Sequence, residues 1–258
     1  MRDYPAAITP VNHVEPVPRR IRAVLAGQTI VDTTRAMYVW EWPHYPQYYI
    51  PLADVRAGAL VSEDTRQHSP RGETELHALH AGDVHRPHAA KVLGASEVPG
   101  LTATVRLEWE AVDAWYEEDE RVFVHPRSPY VRVDAVRSTR RVRIELEGAV
   151  LAESSSPVLV FETGLPTRFY LNRTEVDLAH LVPSETVTEC PYKGTTGAYW
   201  SARIGDRIHA DLAWSYDFPT RQLLPIAGLV AFYNERVDTF VAGELLERPQ
   251  THFSTPAP

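Results

Sequence analysis

The sequence predicts an all-β protein built from two small antiparallel domains in tandem, with few short helices. Three observations carry that expectation. The chain repeats itself at a constant shift of 121 residues: RIRAVLAGQTIVD from Arg20 returns as RVRIELEGAVLAE from Arg141, and VWEWPHYPQYYIPLADV (39–55) as VFETGLPTRFYLNRTEV (160–176). Apolar and polar residues alternate with the period of a half-buried strand. Glycines and prolines fall between these runs, where turns and sheet edges tolerate them. A repeat fixes the number of domains before any other reading, and in 258 residues it gives two units of about 110–125 residues each.

The elements follow in order. Residues 1–18, with four prolines, read as an extended arm. The first, diverged repeat domain spans 19–126. It opens with a strand from Arg20 that enters a turn at Gly27-Gln28 and returns through Thr29–Asp32. The second repeat domain, 135–248, repeats that hairpin over 141–150, with Glu147-Gly148 at the tip, a pair suited to a tight turn. The next strands are 38–42 and 158–162, then 48–50 and 169–171. Helical spacing is read over 76–91 in the first half and over 174–180 in the second. A hairpin over 196–204 and 207–216 turns at Gly205-Asp206, and strands at 229–233 and 237–244 close the domain. Ala114-Trp-Tyr-Glu-Glu and Val122-Phe-Val read as the degenerate counterparts of Ala231-Phe-Tyr-Asn-Glu and Thr239-Phe-Val. A proline-rich linker, 127–134, joins the domains, and 249–258 is expected to be a loose tail.

Composition narrows the function. Net charge is −8, lysines are confined to positions 91 and 193, and no basic run exists. Nucleic acids and anionic membranes are therefore disfavoured as partners. The single cysteine, Cys190, excludes an intrachain disulfide and any multi-cysteine zinc site. No stretch has the length of a signal-peptide core or membrane span, so a cytoplasmic protein is expected. A small-molecule ligand is the expected partner, and a homodimer is left open.

The segment Glu189-Cys-Pro-Tyr-Lys-Gly-Thr-Thr-Gly-Ala-Tyr-Trp-Ser, with Ala213-Trp-Ser-Tyr, Pro225-Ile-Ala-Gly-Leu-Val-Ala-Phe-Tyr and 237–243, resembles the domain of unknown function family 427, also catalogued as nucleotidyltransferase-like. Arg141, Gly148, Phe161-Glu162-Thr163 and Arg168-Phe169-Tyr170 are similar to that family's opening. The first half resembles a second copy that lacks the Cys-Pro-Tyr-Lys-Gly element. The resemblance implies a compact all-β domain of the β-tent kind and says little about activity. Nucleotidyltransferase chemistry has no residues to carry it, because no Gly-Ser pair precedes spaced aspartates and no phosphate-cradling loop is present.

Cys190-Pro-Tyr-Lys-Gly is the segment most suited to chemistry. A thiol acts as a nucleophile in its thiolate form, which a nearby cation favours, and Lys193 lies three residues on. Gly194 and Gly197 let backbone amides approach a developing oxyanion. At the same shift the first copy reads Ser69-Pro70-Arg71-Gly72, with serine for cysteine and no lysine. Glu162, mirrored by Glu41, is a general base or substrate anchor, or else pairs with Arg141 (Glu41 with Arg20) or with Arg168. Asp54 and Glu175 form a second recurring acidic pair. Arg168, where the first copy has Gln47, has the forked geometry that binds carboxylates or phosphates, or else lies on the surface. Tyr170, Tyr192, Tyr199, Trp214 and Tyr216, with Trp200 and Tyr233, supply aromatic walls or core. Five first-half histidines, His68, His77, His80, His85 and His88, match no known ligand pattern, and no metal or cofactor is implied. Two classes of function remain: a cysteine-dependent enzyme acting on a small molecule, with Cys190, Lys193 and Glu162 catalytic, and a non-catalytic ligand-binding or interaction module in which Cys190 is buried and inert.

Overall fold

The computed structural model describes residues 9–255. It is mostly β and divides between Tyr130 and Val131 into two compact units. The first unit contains β1 (Val14–Pro16), β2 (Ile21–Leu25), β3 (Gln28–Thr33), β4 (Met37–Val39), β5 (Gln47–Pro51), β6 (Leu60–Ser69), β7 (Gly72–Ala81), β8 (Val84–Leu93), β9 (Thr104–Leu107), β10 (Ala114–Glu117) and β11 (Glu120–Val122). They form a seven-stranded sheet, β1-β4-β5-β9-β8-β7-β6, and a four-stranded sheet, β11-β10-β2-β3.

The second unit contains β12 (Val133–Arg137), β13 (Val142–Leu146), β14 (Ala149–Ser154), β15 (Val158–Glu162), β16 (Arg168–Leu171), β17 (Leu181–Ser184), β18 (Glu189–Cys190), β19 (Gly194–Thr195), β20 (Ala198–Ile204), β21 (Arg207–Ser215), β22 (Val230–Phe232), β23 (Asp238–Val241) and β24 (Glu244–Leu245). Its large sheet runs β12-β15-β16-β22-β21-β20-β17 and its small one β14-β13-β23-β24, the same topology strand for strand. The short hairpin β18–β19 pairs Cys190 with Gly194 where the outer end of β6–β7 pairs Ser69 with Gly72, so in the second unit that hairpin end stands as a separate two-stranded ladder. Each core lies between the two sheets, around Ile21, Ile30, Trp40, Ile50 and Leu79 in one unit and Ile144, Leu151, Leu171, Leu212 and Phe232 in the other. Each fully buried aliphatic side chain stabilises its unit by roughly 1.5–3 kcal/mol relative to exposure.

The opening hairpins match in turn, register and bulge. Ala26 (φ 50°) and Gly27 (φ 70°) turn the first, and Glu147 (φ 52°) and Gly148 (φ 85°) the second. These are the paired left-handed residues that match the twist of a two-residue hairpin. The first turn therefore lies one residue earlier than Gly27-Gln28. Both hairpins carry a bulge, at Ala23/Val24 and Ile144/Glu145. Arg20 pairs with Asp32, and Arg141 with Glu153.

Several expectations are corrected. Residues 76–91 are not helical but belong to the hairpin β7–β8, which turns at Gly82-Asp83. A bulge between His77 and Leu79 turns the neighbours Ala78 and Leu79 both inward, and buried Leu76, Ala78, Leu79 and Ala81 then mimic helical spacing. The ending alignment also shifts. Glu117 pairs with Ile21 and Val241 with Val142, so β10 stands where β23 does, not where Ala231-Phe-Tyr stands. In 174–180 the chain makes two one-turn 3-10 helices, Arg173–Glu175 and Leu178–His180. Residues 1–8 of the expected arm lie outside the described residues, and its end forms β1 against β4. In the expected loose tail, the Thr251 hydroxyl donates to Glu235 (2.6 Å) and Phe253 packs against Tyr233. Among the described residues no helix is long and apolar enough to cross a membrane.

Candidate functional site

The turn of β18–β19 presents Lys193, and the end of β15 presents Glu162. Their side chains, about a tenth exposed, form an ion pair on the outer face of the large sheet. Gly194 (φ 95°) closes the turn, whose tip is held by Thr220: its hydroxyl donates to the Tyr192 carbonyl (2.6 Å) and its amide to the Lys193 carbonyl (3.1 Å). Cys190, paired in register with Gly194, is partly exposed. Burial opposes the Lys193 ammonium, but Cys190, Glu162 and Tyr170 together hold its pKa above the ordinary lysine value. Tyr170, fully buried, is pushed up to about 12 by burial, against the pull of Lys193. Burial, then Tyr170 and Cys190, raise the Tyr216 phenol well above its usual range. The structure therefore brings Cys190, Lys193, Glu162, Tyr170 and Tyr216 into one electrostatic cluster.

The remaining candidates are packed elsewhere in the same layer. Trp214 Nε1 donates to Tyr170 Oη (3.3 Å), and Tyr199 and Tyr233 share a 2.5 Å hydroxyl contact. Tyr170, Tyr199, Trp214 and Tyr216 are all buried, so they build a second core layer instead of an open wall; Tyr192 is half-buried. Arg168 is not free for a substrate. It is buried, bonds Glu235 through both terminal nitrogens as well as Asn234, and is faced by Trp214, Tyr233 and Phe253 at 5.5–5.9 Å. A buried guanidinium so matched leaves no donor fork for a ligand.

The expected partners of the recurring carboxylates are corrected too. Glu162 pairs with Lys193, not with Arg141 or Arg168, and Glu41 pairs with Arg71 (3.5 Å) and Arg106 (3.7 Å), not with Arg20. Tyr49, the counterpart of Tyr170, donates to Glu41 (2.8 Å) and accepts from Arg71 (3.0 Å). Arg71 thus takes the part of the lysine that the first copy lacks. The carboxylate–cation–tyrosine arrangement is duplicated; the thiol beside it is not. Asp54 bonds Arg35 and Thr33, and Glu175 accepts from the Asn172 amide (3.2 Å), so that second acidic pair braces a turn in each copy. The histidines lie on strands: His80 faces His85 across the hairpin, and His88 holds Glu63 (3.0 Å).

The second unit also has a cleft of about 400 Å³, whose lining includes Arg140, Phe161, Thr167, Phe169, Asn234 and Val241 and none of the candidate residues above. The sequence reading passed over this set. The signal for it lay in the repeat, where Trp40 becomes Phe161 and Tyr48 becomes Phe169.

Two copies of one eleven-strand plan, the second with cysteine at a hairpin end where the first has serine, define a tandem-repeat all-β protein. The chain belongs to the family described as Domain of unknown function (DUF427), whose model matches twice, over residues 13–118 and 134–243. The two matches begin 121 residues apart, the shift of the repeat itself. A search of curated proteins finds no match.

Proposed function

We propose that the chain is a small-molecule-binding protein whose reactive group is Cys190, with Lys193 stabilising negative charge that develops on the sulfur or on a bound ligand. The observation that carries this reading is the placement of the chain's single, partly exposed thiol beside a buried ammonium, at a hairpin turn where the matching turn of the first unit, Ser69 to Gly72, has serine instead. Glu162 orients the ammonium, and Tyr170 and Tyr216 form the dry wall behind it. Enzymatic use of the thiol belongs to this reading. The test is alkylation of the folded protein by iodoacetamide at neutral pH. Stoichiometric labelling is expected, slowed about tenfold or more in Lys193→Ala, as loss of a strong charge-assisted contact implies. A thiol that stays unlabelled until the protein unfolds would sink the proposal.

A second reading has its own observation. Glu41, Arg71 and Tyr49 repeat the arrangement where no cysteine stands, which supports Glu162 and Lys193 as a structural pair in a non-catalytic module. Equal labelling rates in the parent and in Lys193→Ala would favour that alternative.

A further inference from the structure

The first unit serves as an internal control for the cleft of the second. Equivalent positions follow from strand register: Arg19, Trp40 and Tyr48 correspond to Arg140, Phe161 and Phe169 at the shift of 121, and Trp115 and Glu117 correspond to Thr239 and Val241 on the paired strands β10 and β23. Beyond β9 and β22, Trp109 stands where Asn234 does. In the first unit this end of the inter-sheet space is filled by protein. Trp40 is fully buried, Trp109 stacks on Trp115 (5.2 Å), and Tyr48 packs against Trp115 (5.5 Å). The Glu117 carboxylate closes it, accepting from Arg19 (2.5 Å) and from the Tyr48 hydroxyl (2.7 Å).

In the second unit every one of these fillers is smaller. Tryptophans give way to Phe161, Asn234 and Thr239, the tyrosine to Phe169, and the carboxylate to Val241. The Thr239 hydroxyl is buried without a partner, and Phe161 is 43% exposed where Trp40 is covered. Among the described residues no carboxylate pairs with Arg140, because the position that would supply one holds valine. Arg248, the other lining arginine, is occupied by Asp238 (2.8 Å). What is missing from the cleft, relative to the first unit, is one carboxylate and the aromatic bulk attached around it.

We propose that this cleft binds a small organic monocarboxylate with an aromatic or apolar body, its carboxylate on Arg140 and its body against Phe161, Phe169, Val241 and Leu246. The volume of about 400 Å³ falls within the range of small-ligand sites. A charge-assisted contact to a guanidinium fixes orientation, while the rings supply most of the buried area. One guanidinium matches one carboxylate. The site lies on the inner face of β15 and β16, whereas Glu162 and Tyr170, next in sequence to Phe161 and Phe169, serve the outer face. The two proposals therefore stand or fall separately.

The test is calorimetric titration of the full chain with 2-naphthoate, with uncharged 2-naphthamide as the control. Saturable binding of naphthoate is expected, at least about tenfold tighter than the amide and about tenfold weaker in Arg140→Ala. Val241→Glu, which restores the first unit's own carboxylate, should abolish binding, and Cys190→Ser should leave it unchanged. If Val241→Glu does not fold, Phe161→Trp decides the filling arm. Absence of saturable naphthoate binding, or binding that neither Arg140→Ala nor the filling variant alters, would overturn the proposal.

Discussion

Arg168 shows how a residue's meaning is set by what reaches it. From sequence it is an arginine beside Phe169-Tyr170, equally suited to a ligand or to the surface; in the fold it is buried against Glu235 and three rings. Burial alone would raise the Glu235 carboxyl, but the hydrogen bonds and charge of Arg168 outweigh it and hold it below the usual carboxylate range. A carboxylate whose pKa is lowered on folding stabilises the fold above its unfolded value, and that contribution is lost as pH falls through the folded value. Glu235→Gln should therefore cost about 3–5 kcal/mol at neutral pH, because it strands a buried guanidinium. Urea unfolding at a series of pH values should show the gap from the parent closing as the solution becomes acidic. A gap independent of pH would mean that packing, not charge, accounts for the loss.

At the scale of elements, turn chemistry was legible and bulges were not. Glu147-Gly148 announces its hairpin because both residues adopt φ > 0, which few sequences tolerate. The β7–β8 hairpin hid behind its bulge, since one inserted residue converts strict alternation into spacing that reads as helical. Two glycines separate backbone strain from crowding. A Cβ at Gly148 meets nothing within 4 Å, so Gly148→Ala should cost about 1–2 kcal/mol for the left-handed backbone alone. A Cβ at Gly72 would lie 2.7 Å from the Ala95 carbonyl oxygen, so Gly72→Ala should cost clearly more. Thermal unfolding of the two variants ranks them; equal losses would show that the β7 turn relaxes freely.

At the scale of the whole molecule, each unit has its own inter-sheet core and a complete set of strands. A fragment of residues 131–258 should fold alone, with a single cooperative transition followed by circular dichroism. A fragment starting at 139 removes β12 and leaves β15 without the partner registered along Val158–Glu162. It should lose stability and associate, as unprotected edges do. If both fragments unfold alike, β12 is dispensable.

Sequence alone determined the duplication, the all-β class and the opening hairpins, because alternation and turn residues are local properties that the chain states twice. It also named Cys190, Lys193 and Glu162 as candidate catalytic residues. Only the tertiary structure decided which carboxylate meets which cation, that Arg168 is consumed by Glu235, and that matched inter-sheet ends are plugged in one unit and open in the other. Those outcomes depend on side chains tens of residues apart meeting across strands, where one bulge or a slip in register changes every partner.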